Sequence, residues 1–217
     1  MARQIRSVIT DEALIKEKRG QIIRCTLRLF VEKGYNRTTA RDLLKACKMS
    51  QGGLYSYIGT KIDILYLIME QMQQMQQETI ESLKRSTKDL SAGEALQESI
   101  KVYMAYADAY QDLIIFGHRE IVNLPQNERR IVLDVEIQSV EYFESLLRRG
   151  IEAGEFDMKD PRLVAHNILL ICDGWALRRW FLRKYYTVEQ YSKEQIDIIL
   201  EKVKVDSGVA QRAGLPL

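Results

Sequence analysis

The sequence predicts an all-α protein in two parts. Three observations carry this. Apolar residues recur three and four apart along nearly the whole chain; only three prolines, at 125, 161 and 216, interrupt its 217 residues; and helix-starting residues stand where each apolar pattern begins. With 46% aliphatic, aromatic and cysteine residues there is material for a real core. The length suits a small domain over residues 1–61 and a larger one over 62–217.

The first helix spans about residues 11–33, with Ile23, Leu27, Phe30 and Val31 at helical spacing and Gly34 as a left-handed C-cap. Thr39 is an N-cap and Asp42, three residues on, completes a capping box. Leu43, Leu44 and Cys47 fall on the inward side of that second helix. Cys47-Lys48-Met49-Ser50 forms a turn, and Ser50 caps a third helix in which Leu54 and Ile58 share a buried face. Gln51, Gly52, Gly53, Tyr55, Ser56 and Tyr57 remain for the outer surface. Two short helices joined by a tight turn have the shape of a helix-turn-helix, and an outer face of Gln, Ser, Tyr and bare glycine suits a DNA groove.

Residues 62–85 form a connecting helix with Leu65, Ile68, Met69, Met72 and Met75 on its packing face. Ser91 and Glu94 make a second capping box, opening a helix with Ile100, Tyr103, Met104, Ala107 and Tyr110 inward. A short helix carries Leu113, Ile114, Phe116, Ile121 and Val122 and is closed by Pro125. Residues 127–153 make a long helix with Ile131, Val135, Val140, Phe143, Leu147 and Ile151 inward, ended by Gly154. Asp160-Pro161 is a cap and first-turn proline opening a helix to about Tyr185. Thr187 introduces the last helix, through Tyr191, Ile196, Ile199 and Leu200, and 205–217 form a frayed tail.

Charge divides along the same line. Residues 1–61 hold thirteen Lys/Arg against five Asp/Glu, a balance of +8, and the remainder holds nineteen against twenty-five, a balance of −6. A basic head on an acidic body fits a chain whose N-terminal part meets phosphates. No apolar run reaches the roughly 18 residues of a membrane span, because LLICDGWALRRWFL is broken by Asp173 and an arginine pair. No membrane partner and a cytoplasmic protein are expected. Cys25, Cys47 and Cys172 lie far apart and are expected to be separate buried hydrophobes, with no disulfide and no metal site. Two histidines, no phosphate loop, no nucleophile elbow and no metal motif assemble no catalytic constellation, so no catalytic residue and no enzyme activity is expected.

RGQIIRCTLRLFVEKGYNRTTARDLLKACKMSQGGLYSYIGTKIDIL resembles the DNA-binding domain of the tetracycline-repressor (TetR) family of bacterial transcription factors, through Leu29-Phe30, Gly34-Tyr35, Thr39, Ser50, Leu54-Tyr55 and Lys61 at the family's spacing. The resemblance implies a regulator of a palindromic double-stranded DNA operator, most simply a repressor released by a hydrophobic small molecule. It further implies a homodimer formed by the helices of 160–185 and 187–203, with Ala165, Ile168, Ile171, Cys172 and a face ending near Phe181 and Leu182 supplying the contact. A dimer sets two recognition helices about 34 Å apart, one turn of the duplex. Two departures stand out. Lys48 takes the place of a turn glycine, and Gly52-Gly53 replaces one glycine followed by a bulkier residue, so that the third helix is expected to be weak until it meets DNA.

Within the head, Gln51 and Arg41 have the chemistry to read base edges. Thr39, Tyr55, Tyr57 and Lys61 suit phosphates, helped by helix N-termini at Thr39 and near Thr60. Tyr55 has an equal alternative, its ring packed in the head core. Arg3, Arg6, Lys16, Lys18 and Arg19 form either an arm along the duplex or a solvated tail. For the body the resemblance implies an effector pocket, to which Tyr103, Tyr106, Tyr110, Phe116, Tyr142, Trp175 and Trp180 would contribute. GWALRRWFLRKYYTVEQY resembles the late region of members that answer to acyl-coenzyme A (acyl-CoA) esters, which would set Arg178, Arg179, Arg183 or Lys184 against phosphates; no resident cofactor is expected. The rival classes are an architectural or constitutive DNA-binding protein without effector and, last, a helical enzyme.

Overall fold

The computed structural model describes residues 5–204, among which there are ten α-helices and no strand. Arg3 of the expected arm and the expected tail of 205–217 lie outside the described residues, as do the side chains of Ile131 and Val135. The all-α expectation is met. The chain forms two compact units, one from the chain up to Gln77 with Asp112–Val135, the other from Glu78–Gln111 with the chain from Glu136 onward. The head therefore recruits segments that lie well beyond residue 61.

The head unit contains α1 (Glu12–Lys33), α2 (Ala40–Cys47), α3 (Gln51–Tyr55), the start of α4 (Lys61–Ser86), most of α6 (Gln111–Glu120) and the start of α7 (Gln126–Glu152). Asp11 caps α1 by accepting from the Leu14 amide at 3.0 Å. Gly34 ends α1 at φ 85°, ψ 148°, a region open essentially to glycine alone, and not in the left-handed helical well that the sequence suggests. Lys48 does take that well, at φ 53°, ψ 41°, so the turn glycine's geometry is kept despite a side chain, at a cost of about 1 kcal/mol. Ile22, Phe30, Leu43, Leu54, Ile58, Ile68 and Phe116 close the core, and the Phe30 and Phe116 rings stack with centroids 5.9 Å apart.

The cysteine expectation is corrected. Cys25 and Cys47 are joined in a disulfide across 22 residues of sequence, with Cα atoms 5.3 Å apart, where α1 crosses the last turn of α2. Each had been placed correctly on an inward face; what spacing along the sequence does not reveal is that the two faces meet. Cys172 is a buried thiol, and burial pushes its pKa up.

The second unit holds α5 (Ala92–Ala109), the end of α7, α8 (Pro161–Leu177), the single turn α9 (Arg179–Leu182) and α10 (Val188–Val203). The capping signals at Ser91/Glu94, Asp160 and Thr187 all form. The helix expected to run to Tyr185 is instead broken at Arg178 (φ −111°, ψ 19°). Residues 175 and 183 would stand about 12 Å apart along an unbroken helix, yet Trp175 and Arg183 both donate to the same Asp108 carboxylate oxygen, each at 2.8 Å. Ile151, expected inward, is exposed, while Phe143 and Leu147 are fully buried. The α5 N-terminus is satisfied by Glu155, which accepts from the Ala92 and Gly93 amides at 3.0 and 2.8 Å.

Candidate nucleic-acid interface

The outer face of α2 and α3 begins with its caps. The Thr39 side chain accepts from the Asp42 amide at 3.2 Å, and the Asp42 carboxylate accepts from the Thr39 amide at 2.8 Å and hydroxyl at 2.7 Å. Lys33 on α1 pairs with the same carboxylate, and together these bonds hold Asp42 well below the usual carboxylate range. Ser50 caps α3 by accepting from Gly53 at 3.1 Å. A Cβ at Gly53 would press on Ser50 Oγ, whereas one at Gly52 would meet nothing within 4 Å.

Thr39, Arg41, Ser50, Gln51 and Gly52 are exposed; Gly53, Tyr55, Ser56, Tyr57 and Lys61 are half-buried. Leu54 and Ile58 are fully buried beneath them. The Tyr55 and Tyr57 rings pack on the head core, so the packing role weighed for Tyr55 is present. Lys61 is turned inward: its ammonium donates to Thr38 O at 2.8 Å and lies 4.2 Å from the Tyr35 ring centroid. Burial lowers its pKa, against the opposing pull of Glu120.

Carboxylates of the chain stand at the two helix N-termini expected to receive phosphates, where they accept from the amides just before each helix. Asp63 accepts from the Gly59 and Thr60 amides at 2.9 and 2.7 Å, as Asp42 does from Thr39.

Two residues that sequence reasoning did not single out for this work set the geometry. Arg119 donates to the α1 carbonyls of Phe30 and Val31 at 2.6 and 3.2 Å. Arg19 donates to Tyr57 O and Ile5 O, both at 3.0 Å. These are long-range contacts to backbone oxygens and leave no local pattern.

The expected effector residues are only partly gathered. Tyr103 and Tyr142 sit edge-on to Phe143 in the second unit. Their hydroxyls meet Ser139, at 3.2 Å, and Ser99, at 2.8 Å, in a buried polar cluster. Burial pushes the Tyr106 phenol up to about 12, and its ring lies 4.9 Å from the exposed Tyr110. Trp175 is buried and stacks on Tyr191. Phe116 belongs to the head unit and packs on Phe30. Arg178 is exposed against the Trp180 ring. Asp108 holds Arg183; burial works to raise this carboxyl's pKa, but the bonds from Trp175 and Arg183 leave it lowered. Among the described residues no group of His, Cys, Asp and Glu could hold a metal ion.

Residues 22–66 match the family described as bacterial regulatory proteins, tetR family, and residues 89–203 match the tetracyclin repressor-like C-terminal domain. The chain belongs to the TetR family. It is 27% identical over 216 residues to the HTH-type transcriptional regulator HbdR of Aromatoleum sp. (strain CIB), covering 99% of this chain and 93% of that one. A tetR-family regulatory protein from Rhodococcus RHA1 superposes with a TM-score of 0.79 at 22% identity, over 88% and 99% of the two chains. AibR, solved with isovaleryl coenzyme A and operator DNA, gives a TM-score of 0.73 at 20% identity over 85% and 99%. This TetR-family protein is a DNA-binding transcriptional regulator and not an enzyme.

The Asp42 network gives the regulator's head an acid-labile element. A carboxylate whose folded pKa is depressed contributes stability that is present above its unfolded pKa, near 3.9, and lost as pH falls toward the folded value. Thermal melts from pH 5 down to pH 2 should show Asp42→Asn losing less stability on acidification than wild type; parallel pH profiles would remove Asp42 from that role.

Proposed function

We propose that this regulator binds a palindromic operator as a homodimer, through Arg41, Gln51, Tyr55 and Tyr57, and is released by a hydrophobic effector of the acyl-CoA class. The exposed face of α2 and α3 carries this reading. It presents a guanidinium and an amide fit for base edges beside Gly52, where nothing in the chain itself requires the absence of a side chain. Bare backbone there suits close approach to a groove. Lys61 serves chiefly to tie α4 to Thr38.

Gln51→Ala should cut discrimination between a duplex selected from a random pool and a scrambled one by about 1–3 kcal/mol, while Tyr57→Phe weakens both alike. Titrations on the two duplexes separate these effects. Equal loss on both for Gln51→Ala would reject its reading role.

Part of the expected dimer surface changes. Ala165, Ile168 and Cys172 are buried within their own unit, so a second copy would not cover them, whereas Ile171 is half-buried and Phe181 exposed. Leu163, Leu170 and Leu177, seven apart on α8, are 53%, 51% and 39% exposed, and Ile198 on α10 is 51% exposed. Such a stripe is costly in water and fits a partner's identical stripe about a two-fold axis. Leu170→Glu should give a folded monomer in sedimentation, whereas Ile168→Glu should fail to fold, since it buries a charge. A wild-type monomer at micromolar concentration would contradict the dimer.

The effector reading is supported by the aromatic and hydroxyl cluster around Tyr103 and Tyr142, by the exposed cations Arg178 and Lys184, and by AibR, whose structure pairs an acyl-CoA with operator DNA. A ligand moves the operator equilibrium only as far as it prefers one arrangement, typically about 5- to 150-fold, and the coupling is reciprocal. Calorimetry of acyl-CoA esters of graded chain length, with and without operator, should show operator weakening effector binding by the factor by which effector weakens operator binding. Esters that bind without changing operator affinity would leave a constitutive DNA-binding protein as the better reading.

A further inference from the structure

Residues 5–9 are bonded to the head and do not trail from it. The Val8 amide donates to Ser56 O at 2.9 Å, and the Ser7 hydroxyl donates to the same oxygen at 3.0 Å. The Arg19 guanidinium bridges Ile5 O and Tyr57 O, at 3.0 Å each. Ser56 is the C-cap of α3 and Tyr57 the next residue, so this segment lies along the end of the recognition helix. Its side chains alternate, with Ile5 and Ser7 partly buried and Arg6 and Val8 exposed. Ile5 packs on the head core. The Cβ of Arg6 stands 4.0 Å from where a Cβ on Gly59 would be, at the loop leading into α4.

We propose that Arg6 is a DNA-phosphate contact carried on this pinned segment, and that Arg19 is the positioning residue that fixes the segment and the end of α3 to each other. The proposal rests on the reading of the head as an operator-binding surface. An arginine on a free tail loses much of its attraction in ordering the tail, whereas here the backbone on both sides is already fixed. The guanidinium's forked donors match a phosphate. Base edges are read from the N-terminal residues of a recognition helix; Arg6 stands by the other end, where the sugar-phosphate backbone passes. Its contribution is therefore to affinity and register and not to sequence choice.

Phosphate contact has a readout that simple folding effects do not move. Each phosphate neutralised adds about 0.9 to the slope of log affinity against log salt. On a mixed-sequence duplex, between about 50 and 200 mM salt, Arg6→Ala in the full chain should make that slope shallower by about 0.9 per head, while Arg6→Lys should keep it. Arg19→Ala should give the same shallowing, and the double variant no more than either alone. Val8→Pro, which removes the amide donated to Ser56 without touching Arg19, should reproduce the effect and stands in if Arg19→Ala proves unstable. A wild-type slope in Arg6→Ala overturns the contact; a lower melting temperature with an unchanged slope in Arg19→Ala overturns the positioning role. Wild-type protein that binds no duplex at all would overturn the reading of the head itself.

Discussion

A helix of five residues with glycine at two of them does not hold its shape in water, and what this regulator does on DNA depends on what holds α3 in place. Each glycine costs about 1 kcal/mol relative to alanine, and so short a helix does not nucleate alone. The compensation is tertiary. Leu54 and Ile58 are fully buried, each worth about 1.5–3 kcal/mol against exposure. Ser50 caps the first turn, Lys48 accepts a left-handed backbone to aim it, and Arg19 grips the carbonyl of Tyr57 beyond its end. These contacts within the head oppose the weakness expected of the glycine pair.

The same economy governs charge. The head is basic by composition, yet three of its acidic residues stand at helix starts: Asp11 on α1, Asp42 on α2, Asp63 at α4. They accept from amides of the chain itself at the helix starts, and exposed cations are groups that can release counterions on binding. Lys33 and Lys61 are held by the head itself, so a count of basic residues overstates the number that can reach DNA. Arg6 and Arg41 stay exposed.

Most helices, their caps and the helix-turn-helix were legible because they rest on local rules: a capping oxygen three residues from its amide, an apolar face at 3.6-residue spacing. The same period placed Phe30, Leu43, Leu54 and Ile58 inward, though on α1 Ile22 and Thr26 are buried while Ile23, Leu27 and Val31 are half-buried. What was not legible depends on which faces meet. Cys25 and Cys47 each read correctly as inward, but nothing local says that their faces touch. On α8 two apolar sets flank the polar side of Arg162, His166 and Asp173, one carrying Ala165, Ile168 and Cys172, the other Leu163, Leu170 and Leu177; spacing alone does not say which set the chain buries within itself. The break at Arg178 has no glycine or proline to announce it, and follows the shared carboxylate of Asp108. Phe116 was grouped with the body aromatics by sequence position, whereas its ring completes the head core.

The most direct test is amide hydrogen exchange across residues 50–58 in the absence of DNA. The Leu54, Ser56 and Tyr57 amides donate to Ser50, Gly52 and Leu54 carbonyls in the free chain. If tertiary contacts fix α3, these amides exchange with protection close to that of α2 in wild type, and lose it in Arg19→Ala while α2 keeps its own. Exchange at the unfolded rate in free wild type, with protection appearing only when operator is added, would show that DNA and not the head makes the recognition helix.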